Sequence, residues 1–147
     1  MHQFDKVEMF SFVRPEDSDN EHELLLSLEE KLMQGLKLPH QVVQLCSVDI
    51  GAPSARTFDI ETWMPSRNQY GETHSGSALR DFQARRLNIR YRSANSKQTM
   101  FCYTLNNTAI ATPRVLTAVI ENYQNANGSI TVPEVLRAYM GGVEKIG

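Results

Sequence analysis

Three groups of side chains in this sequence have the types and spacing to do chemistry. Phe4 and Glu8 stand four residues apart in a run that alternates like a strand. Both then point the same way, about 13 Å apart along the chain. That pair suits a ligand with a flat ring at one end and a cation at the other, although a core phenylalanine beside a solvated glutamate gives the same pattern. Glu72 and Ser75, in Tyr70-Gly71-Glu72-Thr73-His74-Ser75, offer a carboxylate and a hydroxyl. These are hard oxygen ligands of the kind Mg²⁺ takes one or two at a time alongside substrate phosphates. His74 between them has no histidine or cysteine partner at zinc-like spacing, which argues against a metal-ligand role for it. Arg114, in Thr112-Pro113-Arg114, falls in the first turn of a predicted helix, where the macrodipole disfavours a cation. An anion shared by the guanidinium and the helix end would make sense of it. Asn106 and Thr108 add an amide and a hydroxyl just upstream. The alternative is an arginine reaching into solvent.

The chain that must position these groups has 147 residues, enough for one domain with one sizeable core. Its composition, 41% hydrophobic and 22% charged, excludes bulk disorder. No apolar run approaches the roughly 18–20 residues needed to span a bilayer, so no membrane partner is expected. Two cysteines, Cys46 and Cys102, are too few for a disulfide scaffold, and a reducing compartment is the default. The opening residues carry Asp5 and Glu8 and do not resemble a targeting peptide. The net charge of −2 hides an asymmetry: residues 1–36 balance to −6, whereas 80–97 balance to +5 through Arg80, Arg85, Arg86, Arg90, Arg92 and Lys97 against Asp81. Such a block either faces a polyanion such as RNA or forms a solvated surface.

Alternation predicts a strand over 3–13, with Phe4, Lys6, Glu8, Phe10 and Phe12 on one face and Val7, Met9 and Val13 on the other. A helix over 20–36 follows, capped by Asp19 or Asn20, with Leu24, Leu25, Leu28 and Leu32 as its apolar stripe, and Pro39 stops it. Further strands are expected at 41–46, 57–64, 70–74 and 100–105, with a loop at 49–54, a turn at 65–68 and a short helix at 80–87. Thr112 reads as the N-cap of a helix with Pro113 at its first position, and Val115, Leu116, Val119, Ile120 and Tyr123 form its stripe. A last short helix spans 132–139, and Gly141-Gly142 ends the regular structure. Hairpin strands joined by occasional helices indicate an α+β fold, an antiparallel β-sheet flanked by helices.

Four segments together resemble one family. His2-Gln3-Phe4-Asp5-Lys6-Val7-Glu8 resembles the second strand of motif 2 in seryl-tRNA synthetases, members of the class II aminoacyl-tRNA synthetases. Phe82-Gln83-Ala84-Arg85-Arg86 resembles the segment after that family's serine-site strand. Leu105-Asn106-Asn107-Thr108-Ala109-Ile110-Ala111-Thr112-Pro113-Arg114, with Ile120-Glu121-Asn122-Tyr123-Gln124, resembles its motif 3. Val132-Pro133-Glu134-Val135-Leu136-Arg137 and Tyr139-Met140-Gly141-Gly142 resemble its C-terminal close. The order is right and nearly the whole chain is covered, so residues 1–147 read as the C-terminal portion of a class II catalytic domain.

The resemblance implies an ATP-dependent serine–tRNA ligase using Mg²⁺, with serine and serine tRNA as partners and a homodimeric parent. It places Phe4 against adenine, Glu8 against the serine ammonium, and Asn106 and Thr108 at the serine side chain. Glu72 and Ser75 would hold the metal on the triphosphate, and Arg114 would grip the γ-phosphate, so Arg114 and Glu72 are the catalytic candidates. Where the family commonly has Glu-Ile-Ser-Ser-x-Ser-Asn, this chain has Glu72-Thr73-His74-Ser75-Gly76-Ser77-Ala78. That change motivates a second reading, a non-catalytic synthetase-like paralogue acting as a structural or RNA-binding partner. The family's coiled-coil arm, motif 1 and the motif 2 arginine have no counterpart here, so this piece alone is expected to be inactive. The Gly71-Glu72 and Thr112-Pro113-Arg114 variants point to an organellar or bacterial form, with the mitochondrial matrix as the expected compartment and the cytoplasm as the alternative.

Overall fold

The computed structural model describes residues 2–94 and 97–147; Met1, Asn95 and Ser96 lie outside that description, including the two that fall in the basic block 80–97. In chain order the elements are β1 (Lys6–Val13), a 3₁₀ turn (Pro15–Asp17), α1 (Ser18–Gly35), β2 (His40–Gln44), β3 (Arg56–Met64), β4 (Gln69–Ala78), α2 (Phe82–Leu87), β5 (Arg90–Arg92), β6 (Thr99–Phe101), β7 (Tyr103–Ala111), α3 (Thr112–Tyr123), β8 (Ile130–Thr131), α4 (Glu134–Arg137) and β9 (Lys145–Ile146). Five strands form one antiparallel sheet in the order β1-β7-β4-β3-β2, and β5-β6 and β8-β9 form two separate two-stranded sheets. The fold is therefore α+β with an antiparallel sheet, as its hairpin pattern indicates.

Both long helices lie on one face of this sheet. Leu26, Met33, Leu36 and Leu38, from α1 and the turn after it, meet Phe58, Ile60 and Met64 of β3 and Val115, Ala118 and Val119 of α3 in the main core. Leu25, Ala78 and Leu105 form a second cluster, on which Met9 and Val13 of β1 pack. Each of the larger apolar side chains among these (Leu, Ile, Val, Met, Phe), when fully buried, contributes about 1.5–3 kcal/mol. Because side chains alternate along a strand, the opposite face presents Glu8, Phe10 and Phe12 from β1, Asn106 and Thr108 from β7, Ser75 and Ser77 from β4, and Asp59 from β3.

Two bulges shape that open face. Val7 pairs with Ile110 but Glu8 with Thr108, leaving Ala109 as an extra residue on β7. Ile60 pairs with His74 but Glu61 with Glu72, leaving Thr73 extra on β4. Bulges bend their strand and re-aim the next side chains. Beyond their last shared pair, Gly76 with Asn107, β4 and β7 no longer pair, and the His74 ring closes the gap by donating from Nε2 to the Ala109 carbonyl at 3.0 Å.

Several local expectations are corrected. The strand predicted over 3–13 starts only at Lys6, so Phe4 precedes it. Helix α1 begins at Ser18, not near residue 20, because Pro15 initiates a 3₁₀ turn that runs straight into it, and Asp17 takes the N-cap place without a side-chain bond. Its buried face is His22, Leu25, Leu26, Glu29 and Met33, while Leu24, Leu28 and Leu32 are exposed. The true stripe contains two polar residues, which hydropathy spacing passes over. Strand β2 covers 40–44 where 41–46 was expected, and β4 runs on to Ala78 because Gly76–Ala78 find partners on both β3 and β7. Residues 100–105 divide between β6 and β7, and β7 continues to Ala111. Arg80 takes a left-handed φ of 48°, which delays α2 to Phe82. On α3, Leu116 and Ile120 are exposed and Ala118 is buried. After Gly141 and Gly142, both at positive φ, the chain makes one more short strand, β9.

Candidate functional site

Arg114 and Glu72 meet. Arg114 Nη1 donates to Glu72 Oε1 at 2.5 Å, joining the first turn of α3 to the bulged end of β4. Phe4, Met64, Arg67, Gly71, Pro113 and Thr117 complete a cavity of about 460 Å³ around this pair, a size usual for small-molecule sites. Both partners are nearly half exposed, and ion pairs so placed are worth only about 0–1 kcal/mol. An incoming anion and cation can therefore separate them at small cost.

Phe4 reaches the cavity by a route that strand periodicity does not reveal. The residue is 52% exposed, and the segment bearing it is tied to α3: the Thr112 hydroxyl donates to the Asp5 carbonyl at 2.6 Å, and the Thr112 amide reaches the same oxygen at 3.3 Å. Thr112 is thus the first helical residue and not the N-cap; Ala111 holds that place, and the threonine hydroxyl serves the neighbouring segment instead. The expected shared strand face of Phe4 and Glu8 does not exist, because only Glu8 lies in β1.

Glu8 belongs to a second cluster. Lys6 Nζ lies 2.8 Å from Glu8 Oε2 and 3.4 Å from Thr108 Oγ1, and the Thr108 hydroxyl is 3.5 Å from Glu8. Glu8 faces Thr108 across the β1–β7 ladder, and Phe10 faces Asn106. Asn106 also faces Ser77 across β4. A carboxylate, a hydroxyl and an amide therefore line one short stretch of the open face.

Ser75 lies opposite Asp59, which periodicity did not single out as a candidate. Burial pushes the Asp59 carboxyl above its ordinary range, opposed by a hydrogen bond from Ser75, and Glu72 and Glu61 add to the rise. Its Oδ1 is buried without a partner. Arg67, a second guanidinium at the cavity wall, was likewise missed. The signals were an acidic residue among the polar alternate positions of β3 and an arginine in a tight turn. Glu72, Ser75 and Asp59 supply hard oxygen donors, one of them a buried atom lacking any partner, and so fit a divalent cation such as Mg²⁺. Among the described residues no three His, Cys, Asp or Glu side chains converge as a metal cage, and Mg²⁺ with phosphates does not require one.

His74 is fully buried. Its Nδ1 lies 2.9 Å from the Thr73 hydroxyl, which bonds Thr62 in turn, and burial pushes its pKa down to about 4. The basic block is partly engaged at home: Arg86 stacks 3.4 Å above the Phe82 ring centre, Arg90 lies 4.4 Å above Phe101, and Arg85 is 3.6 Å from Asp81. Among the described residues no helix is long and apolar enough to cross a membrane.

A five-stranded antiparallel sheet, backed by helices on one face and polar on the other, with an arginine opening the last long helix, is the arrangement of a class II synthetase core. Residues 1–123 match the family described as tRNA synthetase class II core domain (G, H, P, S and T), and the chain belongs to it. Within that class it is similar to serine–tRNA ligases. It is 53% identical over 141 residues to that of Dictyoglomus thermophilum, covering 96% of this chain and 33% of that protein. It is 52% identical over 146 residues to that of Pelotomaculum thermopropionicum, covering 99% and 34%. Among solved structures, the seryl-tRNA synthetase from Pyrococcus horikoshii complexed with ATP superposes with a TM-score of 0.96 at 43% identity, over 99% of this chain and 32% of that one. The cytoplasmic serine–tRNA ligase from Naegleria fowleri in complex with AMP gives 0.92 at 37% identity, over 99% and 35%. The chain spans about a third of the length of the curated relatives it matches.

Proposed function

We propose that the protein carrying this chain activates serine with ATP and transfers the seryl group to serine tRNA. The observation that supports this reading is the convergence of Phe4, Glu72 and Arg114 on one cavity, in a chain similar to synthetases solved with ATP and AMP. In the first step the serine carboxylate attacks the α-phosphorus and pyrophosphate leaves. In the second a tRNA hydroxyl attacks the seryl carbonyl and AMP leaves. Neither step needs a protein nucleophile, so positioning and charge neutralisation supply the acceleration.

The residues divide the work. Phe4 offers its exposed ring to adenine, and stacking suits a flat base. Arg114, freed from Glu72, grips the terminal phosphate, with Arg67 close by. Glu8, steadied by Lys6, receives the serine ammonium. Asn106 and Thr108 meet the serine hydroxyl, and an analogue lacking it would leave them unpaired. Mg²⁺ held by Glu72 and Ser75, with Asp59 beside them, neutralises triphosphate charge when bound. The parent is proposed to act as a homodimer.

Serine-dependent ATP–pyrophosphate exchange by the protein carrying this chain tests the proposal. Exchange that requires serine and falls at least a hundredfold in Arg114→Ala supports it, a loss typical of one electrostatic group at such a centre, about 10²–10³. Binding of tRNA without any exchange would overturn it and leave the paralogue reading.

A further inference from the structure

The turn joining β3 to β4 sets a second guanidinium, Arg67, on the wall of the Arg114–Glu72 cavity. It is a 3₁₀ turn, Pro65–Arg67, closed by Asn68 at a left-handed φ of 50°. Three bonds tie this turn and the end of β3 to the last turn of α3. The Ser66 amide donates to Glu121 Oε2 at 3.0 Å, the Ser66 hydroxyl to Glu121 Oε1 at 2.8 Å, and Asn122 Nδ2 to the Trp63 carbonyl at 2.9 Å. Ser66 thus occupies both Glu121 oxygens, and Arg67 acts on that carboxylate only through space. Among the described residues the Arg67 guanidinium makes no hydrogen bond and no ion pair. Gly71 leaves the wall beside Glu72 bare. A Cβ there would meet only the Met64 side chain, at 3.4 Å and 3.8 Å, in ordinary contact. The backbone therefore does not require glycine at 71, and what the missing side chain provides is room in the cavity.

Resting on the ATP-dependent reading above, we propose that Arg67 is a second phosphate-binding residue, which holds the pyrophosphate end of the nucleotide together with Arg114. The cavity's charged side chains are Arg67, Arg114 and Glu72, two cations against one anion. Glu72 pairs with Arg114, which leaves Arg67 as the uncompensated charge. Positive charge in a cleft draws anions in, so Arg67 is the group a triphosphate meets first, and Arg114 follows as it parts from Glu72. The planar fork of a guanidinium matches the spacing of phosphate oxygens. The anchors of the two walls decide which phosphates it reaches. Phe4 adjoins Asp5, which is bonded to Thr112 at the start of α3, whereas Arg67 adjoins Ser66, which is bonded to Glu121 near its end. Nine residues of helix separate those anchors, roughly 13 Å along the axis. A base stacked on Phe4 therefore leaves the far phosphates, not the one beside the ribose, for Arg67.

The test titrates the full-length protein with ATP in the presence of Mg²⁺, and with AMP, comparing the wild type with Arg67→Ala and Arg67→Lys. AMP carries the base and one phosphate, so it occupies the Phe4 end and lacks the pyrophosphate. Arg67 is exposed and bonded to no described group, so both variants should fold as the wild type does. Arg67→Ala is expected to weaken ATP binding about tenfold, as for one charge-assisted hydrogen-bonding group, and to leave AMP binding within about twofold. Arg67→Lys keeps the charge without the fork and is expected to weaken ATP binding about threefold. In exchange assays Arg67→Ala should raise the pyrophosphate KM about as much as it weakens ATP binding, with the serine KM unmoved. Equal losses for ATP and AMP would mean that the turn only shapes the cavity, and would overturn the proposal. An ATP affinity unchanged in Arg67→Ala would overturn it too. A wild type that binds ATP but exchanges no pyrophosphate would overturn the ligase reading alone, because the two titrations still decide what Arg67 holds.

Discussion

The hydroxyl of Thr112, at the start of α3, donates to the carbonyl of Asp5, one residue from Phe4, at 2.6 Å. This one bond links the two ends of the proposed nucleotide site, since Phe4 stands on the tied segment and Arg114 two residues further along the helix. Thr112→Val keeps the shape and removes the donor. The lost bond is worth about 0.5–1.5 kcal/mol, so the ATP KM should rise about threefold to tenfold with the serine KM unchanged. Initial-rate kinetics with each substrate varied in turn would check it, and equal effects on both would contradict the link.

Arg114 and Glu72 should couple weakly without ligand. A double-mutant cycle with Arg114→Ala and Glu72→Gln on thermal or chemical unfolding is expected to return about 0–1 kcal/mol, because both groups are nearly half exposed. The same variants should each lower exchange far more than that figure implies. The contrast between stability and activity is the measurement.

Gly76→Ala should destabilise the protein by about 1–3 kcal/mol, since the new methyl would overlap the Asn107 amide. Asn107→Ala on the same background removes the obstruction, and the cost of the alanine at 76 should shrink. Chemical denaturation of the two single variants and the double would show it. An equal cost in both backgrounds would mean the strands shift to make room.

Two buried groups give opposite pH dependences. Glu29 holds its proton in the fold to about pH 8, against an ordinary value of 4.5, so the folded state binds more protons across that window. Its contribution is fully present below about 4.5 and is lost as pH rises to about 8. His74 is the reverse: at about 4 against an ordinary 6.5, it stays neutral while the unfolded chain takes up a proton, so stability is lost as pH falls through that range. Unfolding at about pH 5, 7 and 9 should show a shallower alkaline decline in Glu29→Gln than in the wild type.

Arg85 and Arg86 offer a further check. If the basic block meets the acceptor end of tRNA, replacing both with alanine should weaken tRNA binding and lower its salt slope by about 1–2. An unchanged slope would mean the block is a solvated surface, in keeping with the contacts Arg85 and Arg86 already make to Asp81 and Phe82.

Much of the scaffold was legible in the chain because it rests on local rules. Alternating apolar residues over 57–64 made β3, and Pro113 inside the first turn marked the start of α3 to within one residue. The types of the candidate side chains, a carboxylate with a hydroxyl and an arginine where a helix begins, were visible as well. Tertiary structure alone decided their arrangement. Periodicity assumes unbroken strands, so it could not foresee that single extra residues, Thr73 and Ala109, would part β4 from β7. It ranks helix faces by hydropathy, so it preferred Leu24 and Leu28 to His22 and Glu29; His22 is held by the Gly76 carbonyl, which lies 54 residues away in the chain. Asp59 reads as an ordinary strand residue until β4 sets Ser75 opposite it. A sequence states which groups are present and which local shapes they favour; distances between groups far apart in the chain arise only when the sheet and helices pack together.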